Sequence, residues 1–331
     1  MSEANPNSLS GPAAVESLAK RPPKAIPQRE RSREFPAIIF VGPCGIRAGW
    51  RLAIFLAVNI TLIAGAILMA RASRHTASAL ENEVVPFLIV LVSSWVMSRI
   101  EHRRIADYGL PWRRALRSRF WQGIAMGFAA ISLLLGSMRL AGVFRFGNIA
   151  LPGFDVWRDG VVWSLVFLFV GMFEEFFFRG YALFTLTTGM KFWPSAILLS
   201  GFFGWLHHGN PNESWVGAIE AGATGLLFCL MLRRTGDLWM PIGFHAAWDW
   251  GETYFYGVPN SGYPAKRHLL NPMFSGPDWI TGGSAGPEGS WLCIALLVGL
   301  WIIFSLWLGE NKYPNPNAMA SREKHLVVTT G

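Results

Sequence analysis

The stretch GVVWSLVFLFVGMFEEFFFRG at residues 160–180 joins an apolar run of membrane length to two adjacent carboxylates. No charged residue precedes Glu174 and Glu175 in this stretch, and Arg179 follows one helical turn later. About 20 apolar residues are enough for a helix to cross a bilayer. A charged side chain at membrane depth is costly, so its presence there suggests a function. The stretch therefore indicates a membrane helix that carries a polar site.

The composition of the whole chain indicates the membrane class. Of the 331 residues, 52% are hydrophobic and 15% are charged, whereas a soluble domain has about 25% charged residues. The 16 Trp and 24 Phe fit this class, because Trp collects at bilayer interfaces. The net charge of +8 comes from Lys and Arg that lie mainly between apolar runs, and no RNA- or DNA-binding motif is visible. We therefore expect the lipid bilayer as a partner, and no nucleic acid.

Eight apolar runs predict an all-α, polytopic membrane protein with about eight transmembrane helices. The runs lie at about 50–70, 84–98, 120–142, 160–180, 192–208, 215–232, 238–256 and 291–309. Residues 1–35 are basic and poor in large apolar side chains, so they predict a disordered arm. The remaining divisions are N-terminal membrane helices (36–142), a core with the polar residues (143–256), a Gly/Pro-rich loop (257–290), the last membrane helix (291–309) and a C-terminal tail (310–331).

The basic residues predict how the chain is oriented. They are concentrated in the arm, in the loop after the second run and directly after the sixth run. In an eight-span arrangement these three segments share one side, which the positive-inside rule makes cytoplasmic. We therefore expect an integral, multi-pass protein with both termini in the cytoplasm. We expect its membrane to be a bacterial inner membrane, which the charges do not decide.

The three cysteines indicate no redox or metal chemistry. Cys44, Cys229 and Cys293 show no CxxC spacing, and two of them lie inside apolar runs. We expect them to be buried small hydrophobic residues.

The carboxylate pair divides into two roles by helix geometry. Glu175 and Arg179 are at i and i+4 in the favourable order for an ion pair on a helix. Glu174 points about 100° away and has no obvious partner on its own helix. A carboxylate in a water-poor site suits a general base, so Glu174 is the candidate for chemistry. The alternative is a solvated salt bridge where the helix leaves the membrane.

Two later apolar runs contribute histidines. His207 ends a Phe203-x-x-x-His207 turn, and His245 and Asp249 lie at i and i+4 in the seventh run. An acid beside a His fixes its tautomer and raises its basicity. The alternative for each His is a structural hydrogen bond between helices.

Glu220 is a further acid, on a run of small residues at 217–225. The small residues predict a face for close helix packing. We expect Glu220 to pair with a neighbour or to line a cavity.

A turn near Gly189–Lys191 joins the fourth and fifth runs. Glu175 lies 16 positions before Lys191, and His207 lies 16 positions after it. In an antiparallel hairpin these two positions share one depth, so the Glu pair and His207 are predicted to meet.

Three motifs in order, Glu174-Glu175-x-x-x-Arg179, Phe203-x-x-x-His207 and His245-x-x-x-Asp249, resemble the CPBP intramembrane proteases. That family includes the type II CAAX prenyl endopeptidases and bacterial homologues linked to bacteriocin processing or immunity. The resemblance covers about residues 160–256. It implies a helical fold whose core helices form a conical polar cavity open toward the cytoplasm.

The resemblance also implies roles for these residues. Glu174 would activate the attacking water with help from His207, while Glu175 and Arg179 would support their helix. His245 and the residue at 249 would stabilise the oxyanion of the tetrahedral intermediate.

Residue 249 departs from the family pattern, which often has Asn there. An ionised Asp249 cannot donate a hydrogen bond to an oxyanion. Either Asp249 is protonated, or it orients His245. A third possibility is a zinc site made by His207, His245 and the carboxylate of Glu174, with an open position for water.

The predicted function is hydrolysis of peptide bonds in membrane-associated peptides or proteins, as in CAAX-type or bacteriocin-type processing. The partner is then a membrane-proximal peptide or protein, while nothing in the sequence indicates an oligomeric state. One alternative is a non-catalytic membrane immunity or scaffold protein. Another is a proton-coupled transporter, although the repeated halves typical of that class are not visible.

Overall fold

We describe the structure from a computed structural model of the chain, which covers residues 40–42, 45–74, 76–309 and 311–313. The predicted arm at 1–35 and Cys44 lie outside these residues, as does the tail apart from 311–313. Contacts divide the chain into two compact units, Met1–Gly45 and Ile46–Gly331. The first described elements are the two-residue strands β1 (Val41–Gly42) and β2 (Gly45–Ile46).

The second unit is a helical bundle that begins with α1 (Ala48–Ser73) and α2 (Ala79–Ile100). Ser78 caps α2 in a capping box with Glu81, which satisfies backbone N–H groups at the helix start. Two short 3-10 turns follow at Ile105–Tyr108 and Trp112–Arg114, and then α3 (Ser118–Leu140). The short strand β3 (Phe144–Arg145) pairs antiparallel with β4 (Met273–Phe274).

The stretch with the carboxylate pair lies in one long helical run. α4 (Asp155–Glu175) continues through a π-helical turn (Phe176–Ala182) into α5 (Leu183–Met190). The backbone of Gly180 is not helical, and a Cβ there would come within 2.6 Å of the Phe176 ring. The wide turn thus depends on a residue without a side chain, and π-helical turns of this kind often occur at functional sites.

The remaining elements return through the bundle. Lys191, with a φ of 70°, reverses the chain into α6 (Phe192–His207), which confirms the predicted turn. Next are α7 (Trp215–Thr235) and α8 (Trp239–Asp249), which ends in a second π-helical turn (Trp250–Tyr256). The segment after β4 holds α9 (Asp278–Thr281) and two 3-10 turns, Gly283–Ala285 and Pro287–Gly289, before α10 (Trp291–Trp307).

The structure confirms a helical membrane protein, but not the count of eight spans. Five described helical runs are long and apolar enough to cross a bilayer: Ala48–Ser73, Ala79–Ile100, Ser118–Leu140, Asp155–Met190 and Trp215–Thr235. Trp291–Trp307 is a shorter apolar helix. α8 has 11 residues, all buried except His245. Its apolar side chains face other helices, so the sequence pattern could not separate burial in protein from contact with lipid.

Glycines allow close helix contacts in the bundle. A Cβ on Gly127 of α3 would lie 2.2 Å from the carbonyl oxygen of Phe244 in α8, and Gly123 and Gly243 make similar contacts. The small residues of α7 confirm their predicted packing role. A Cβ on Gly204 of α6 would lie 2.3 Å from the carbonyl oxygen of Ala218. Such small-residue crossings let helix backbones approach each other in membranes.

We predict that Gly127→Ala lowers the free energy of unfolding by about 1–3 kcal/mol, because the added methyl group meets backbone rather than a movable side chain. The matched control is Gly136→Ala in the same helix, where a Cβ meets nothing within 4 Å. Unfolding by SDS in mixed micelles measures both variants. Equal stability of the two would contradict this account of the crossing.

Candidate active site

A cavity of about 560 Å³ lies among the helices of the second unit, and its wall combines aromatic with ionisable side chains. Glu174, His207, His245 and Asp249 all line it. The resemblance predicted a polar cavity in the core helices, and these four residues from three separate motifs form part of its polar wall.

Glu175 and Arg179 form the predicted ion pair. Arg179 Nη1 donates to Glu175 Oε1 at 3.1 Å, and both side chains are almost completely buried. The guanidinium also stacks on the ring of Phe203, 4.4 Å from its centroid. A Cβ on Gly225 of α7 would lie 2.4 Å from Arg179 Nη2, so this glycine leaves the space that the guanidinium occupies. The alternative of a solvated salt bridge at a helix end does not fit this burial.

Glu174 faces the cavity, unlike its neighbour. Its side chain is 22% exposed, whereas that of Glu175 is fully buried. Its Oε2 lies 3.7 Å from His245 Nε2 on α8. The prediction that Glu174 has no ion-pair partner on its own helix agrees with the described contacts, and the group that faces it comes from another helix.

His245 is surrounded by carboxylates. Its Nδ1 donates to Glu175 Oε1 at 3.1 Å, and its Nε2 lies 3.4 Å from Asp249 Oδ2 in the predicted i, i+4 pair. A Cβ on Gly171 of α4 would lie only 3.2 Å from the carbonyl oxygen of Ile242, which shows how closely α8 crosses α4 at this level. The sequence did not indicate that His245 meets Glu175, because the offset between two separate helices leaves no local pattern.

His207 lines the same cavity through α6. Its Nδ1 lies 2.9 Å from the carbonyl oxygen of Phe203, so Nδ1 carries a hydrogen and Nε2 is the ring nitrogen left for other partners. Arg179 and Phe203, each 12 positions from Lys191, are in contact, which supports the predicted hairpin register. Within the described part of the chain, however, no hydrogen bond or ion pair joins His207 directly to Glu174.

The cavity also contains acids that the motifs did not single out. Glu83 reaches it from α2, Glu288 from the segment between α8 and α10, and Glu220 from α7. Glu220 is buried and accepts a hydrogen bond from Thr224 Oγ1 at 2.7 Å, so it both pairs and lines the cavity, as expected. Glu288 belongs to residues 257–290, where the sequence indicated only a loop. No local spacing relates it to the motifs, because tertiary folding alone brings it there.

The predicted zinc ligands are not gathered into one site. Among the described residues, the group of three potential ligands whose donor atoms all lie within 4.8 Å is Asp249, Glu252 and Glu288, which contains neither His207 nor Glu174. Both ring nitrogens of His245 also face carboxylates. His207, His245 and Glu174 are thus not among the described groups whose donor atoms converge, and zinc binding by these three residues stays a prediction.

Two cysteines behave as expected. Cys229 and Cys293 are free and buried. Cys293 Sγ lies 3.7 Å from Glu220 Oε1, a weak polar contact within a packed core.

We predict that Arg179→Met lowers the free energy of unfolding by about 3–5 kcal/mol, because the buried Glu175 would lose the guanidinium that pairs with it. Arg104→Met is the control. Arg104 pairs with Asp107 at 3.1 Å but is 83% exposed, so we expect a loss below about 1 kcal/mol. SDS unfolding of the purified variants measures both losses, and similar values would argue against a special role of the buried pair.

One segment of the chain is similar to a known protein family. Residues 156–251 match the family model described as "Type II CAAX prenyl endopeptidase Rce1-like". The match covers less than a third of the chain, and it contains Glu174, Glu175, Arg179, His207, His245 and Asp249. Neither a curated protein nor a solved structure matches the chain. The match agrees with the resemblance that the three motifs predicted: residues 156–251 of this membrane protein are similar to the Rce1-like type II CAAX prenyl endopeptidases.

Proposed function

We propose that the protein is an intramembrane endopeptidase in which Glu174 activates water to cleave a membrane-associated peptide. The observation that carries this proposal is the arrangement at the cavity wall. Glu174 is partly exposed to the cavity and lies 3.7 Å from His245, while Glu175 beside it is buried and held by Arg179. The family match supports a peptide bond as the target.

The water is activated between Glu174 and His207. Glu174 takes a proton from the water, and the resulting hydroxide attacks the carbonyl carbon of the scissile bond. His207 orients the water through Nε2, because its Nδ1 is already bonded to the backbone of Phe203. Glu174 then returns the proton to the leaving amine as the C–N bond breaks.

His245 supplies the positive group near the reacting carbonyl. In this proposal it carries a hydrogen on both ring nitrogens, because each nitrogen has a carboxylate within 3.4 Å. Buried donors aimed at a developing oxyanion are among the strongest contributions to catalysis. Glu175 fixes the ring through Nδ1, which leaves Nε2 pointed toward Glu174, Asp249 and the cavity. Asp249 thus orients His245 rather than donating to the oxyanion itself.

The substrate follows from the setting of the site. The catalytic residues lie within an apolar helical bundle, so a peptide must reach them from the membrane or its surface. We propose a membrane-proximal peptide or protein processed in the CAAX or bacteriocin manner. A lipid-modified substrate is suggested by the family match alone.

We predict that Glu174→Gln lowers kcat by about 10²–10⁴-fold, the usual contribution of a general base. The measurement uses purified full-length protein in nanodiscs and a panel of fluorogenic membrane-anchored peptides, with and without a prenylated CAAX terminus. The matched control is Glu213→Gln, in the loop before α7. Burial raises the pKa of Glu213 to about 7, so the neutral side chain imitates a form already populated at neutral pH.

The same assay separates the alternative functions. Cleavage by wild type with undiminished activity of Glu174→Gln would overturn the assigned mechanism. If wild type cleaves no peptide and Glu174→Gln changes only partner binding or stability, a scaffold or immunity role is supported. Substrate-dependent proton flux into liposomes would support a transporter.

We predict that Asp249→Asn lowers kcat by about 10–100-fold, the usual cost of losing a carboxylate that orients a catalytic His. Asn is nearly the same size, but its amide carries no charge for His245. The kcat and its pH profile are compared with those of wild type. Unchanged or higher activity would instead support an oxyanion donor at position 249, as the family pattern implies.

A further inference from the structure

A second group of acids lies directly beside the catalytic residues. Asp249, Glu252 and Glu288 are buried, and each offers a carboxylate oxygen within 4.8 Å of the others. Asp249 ends α8, Glu252 lies in the π-helical turn that follows, and Glu288 lies in the 3-10 turn Pro287–Gly289. The group thus joins the catalytic helix to the segment at 257–290, which lies outside the family match.

Glu288 is held in a fixed orientation by neutral donors. Trp248 Nε1 donates to its Oε1 at 2.8 Å, and the backbone N–H and hydroxyl of Ser261 donate to its Oε2 at 2.9 and 2.8 Å. These bonds position the carboxylate but bring no positive charge. In the described part of the chain, neither Glu288 nor Glu252 forms an ion pair with a Lys or Arg.

Glu252 is 0% exposed, and among the described residues neither of its carboxylate oxygens receives a hydrogen bond from a backbone N–H, an amide, a hydroxyl or a cation. The polar group that interacts with it is the carboxyl of Glu288, another acid. Leaving a buried carboxylate unpaired is strongly unfavourable. One carboxylate oxygen of Glu252 lies within 4.8 Å of oxygens of Asp249 and Glu288. A single cation between the three carboxylates would neutralise them together.

We infer that Asp249, Glu252 and Glu288 bind one divalent cation of the calcium or manganese class. Hard cations take oxygen ligands, and at a bond length of 2.3–2.6 Å two ligands of one ion lie at most about 5 Å apart. The 4.8 Å limit on the carboxylate oxygens meets this condition. The set contains no thiolate or imidazole, the ligands typical of zinc and copper sites. The predicted zinc site at His207, His245 and Glu174 differs, because it would contain two imidazole ligands.

The bound ion has a direct consequence for the neighbouring site, because Asp249 belongs to both groups. A bound cation partly neutralises the carboxylate of Asp249, whose Oδ2 lies 3.4 Å from His245 Nε2. It also fastens residues 257–290 to the end of α8 through Glu288. The ion therefore stabilises the fold around the cavity. It also changes the negative charge that Asp249 presents to His245, although it does not contact the reacting atoms.

Direct metal binding tests this inference, with full-length protein in detergent micelles and Mn²⁺ as the probe. Electron paramagnetic resonance measures free and bound Mn²⁺, and Ca²⁺ is added as a competitor. We expect wild type to bind one Mn²⁺ per chain, displaced by Ca²⁺. Glu252→Gln and Glu288→Gln should each weaken binding at least about tenfold, which corresponds to 1.4 kcal/mol or more of lost ligand energy.

Glu220→Gln is the matched control. Glu220 is also a buried acid that lines the cavity, but it bonds to Thr224 and lies outside the group of three. It should bind Mn²⁺ like wild type. Glu174→Gln should also bind normally, because Glu174 contributes no ligand, and this result separates the cation site from the proposed peptidase chemistry.

Two outcomes would overturn the inference. One is wild type that binds no Mn²⁺, which would indicate instead that the acids are neutralised by shared protons. The other is normal binding by either Glu252→Gln or Glu288→Gln. The two variants change different elements, so if one fails to fold by circular dichroism the other still decides. Because binding is read directly, failure here leaves the proposed hydrolysis untouched.

Discussion

The buried ion pair between Glu175 and Arg179 is the interaction on which the site depends. A carboxylate inside an apolar bundle requires a counter-charge, and Arg179 provides one from the next turn of the same run. The pair fixes the side chain of Glu175, and its Oε1 accepts a hydrogen bond from His245 Nδ1 at 3.1 Å. Because His245 is held in this way, its other nitrogen faces Glu174, Asp249 and the cavity. A structural ion pair thus sets the geometry of the proposed chemistry one residue away.

Close backbone packing brings the other partners to this pair. Gly171 allows α8 to cross α4 beside His245, Gly127 lets α3 pack on Phe244, and Gly225 leaves room for the Arg179 guanidinium. Without these small residues the helices would stand further apart, and contacts of 3.1 to 3.7 Å between their side chains would not form. The packing glycines therefore set the distances between the polar residues of the site.

The sequence predicted those parts of the site that depend on spacing along one helix. The contacts Glu175–Arg179 and His245–Asp249 follow from the i, i+4 geometry, and the Lys191 turn predicted that α6 would bring His207 to the depth of the Glu pair. The motifs also predicted the similarity of residues 156–251 to the Rce1-like family. The span count was not confirmed, because an apolar run such as α8 has the same composition whether protein or lipid surrounds it. The donor atoms of the predicted zinc ligands His207, His245 and Glu174 do not form one close group among the described residues. Their distances depend on how three separate helices pack.

By itself, the sequence determined that the chain is a helical membrane protein, which residues of each run are polar, and which of them pair within a helix. Those properties depend on local periodicity and on the cost of charge in an apolar medium. The tertiary structure decided which helices cross, and so brought His245 to Glu175 and Glu288 to Asp249 and Glu252. Contacts between residues 27 to 70 positions apart arise from the packing of whole helices and loops. No short stretch of the sequence encodes that packing.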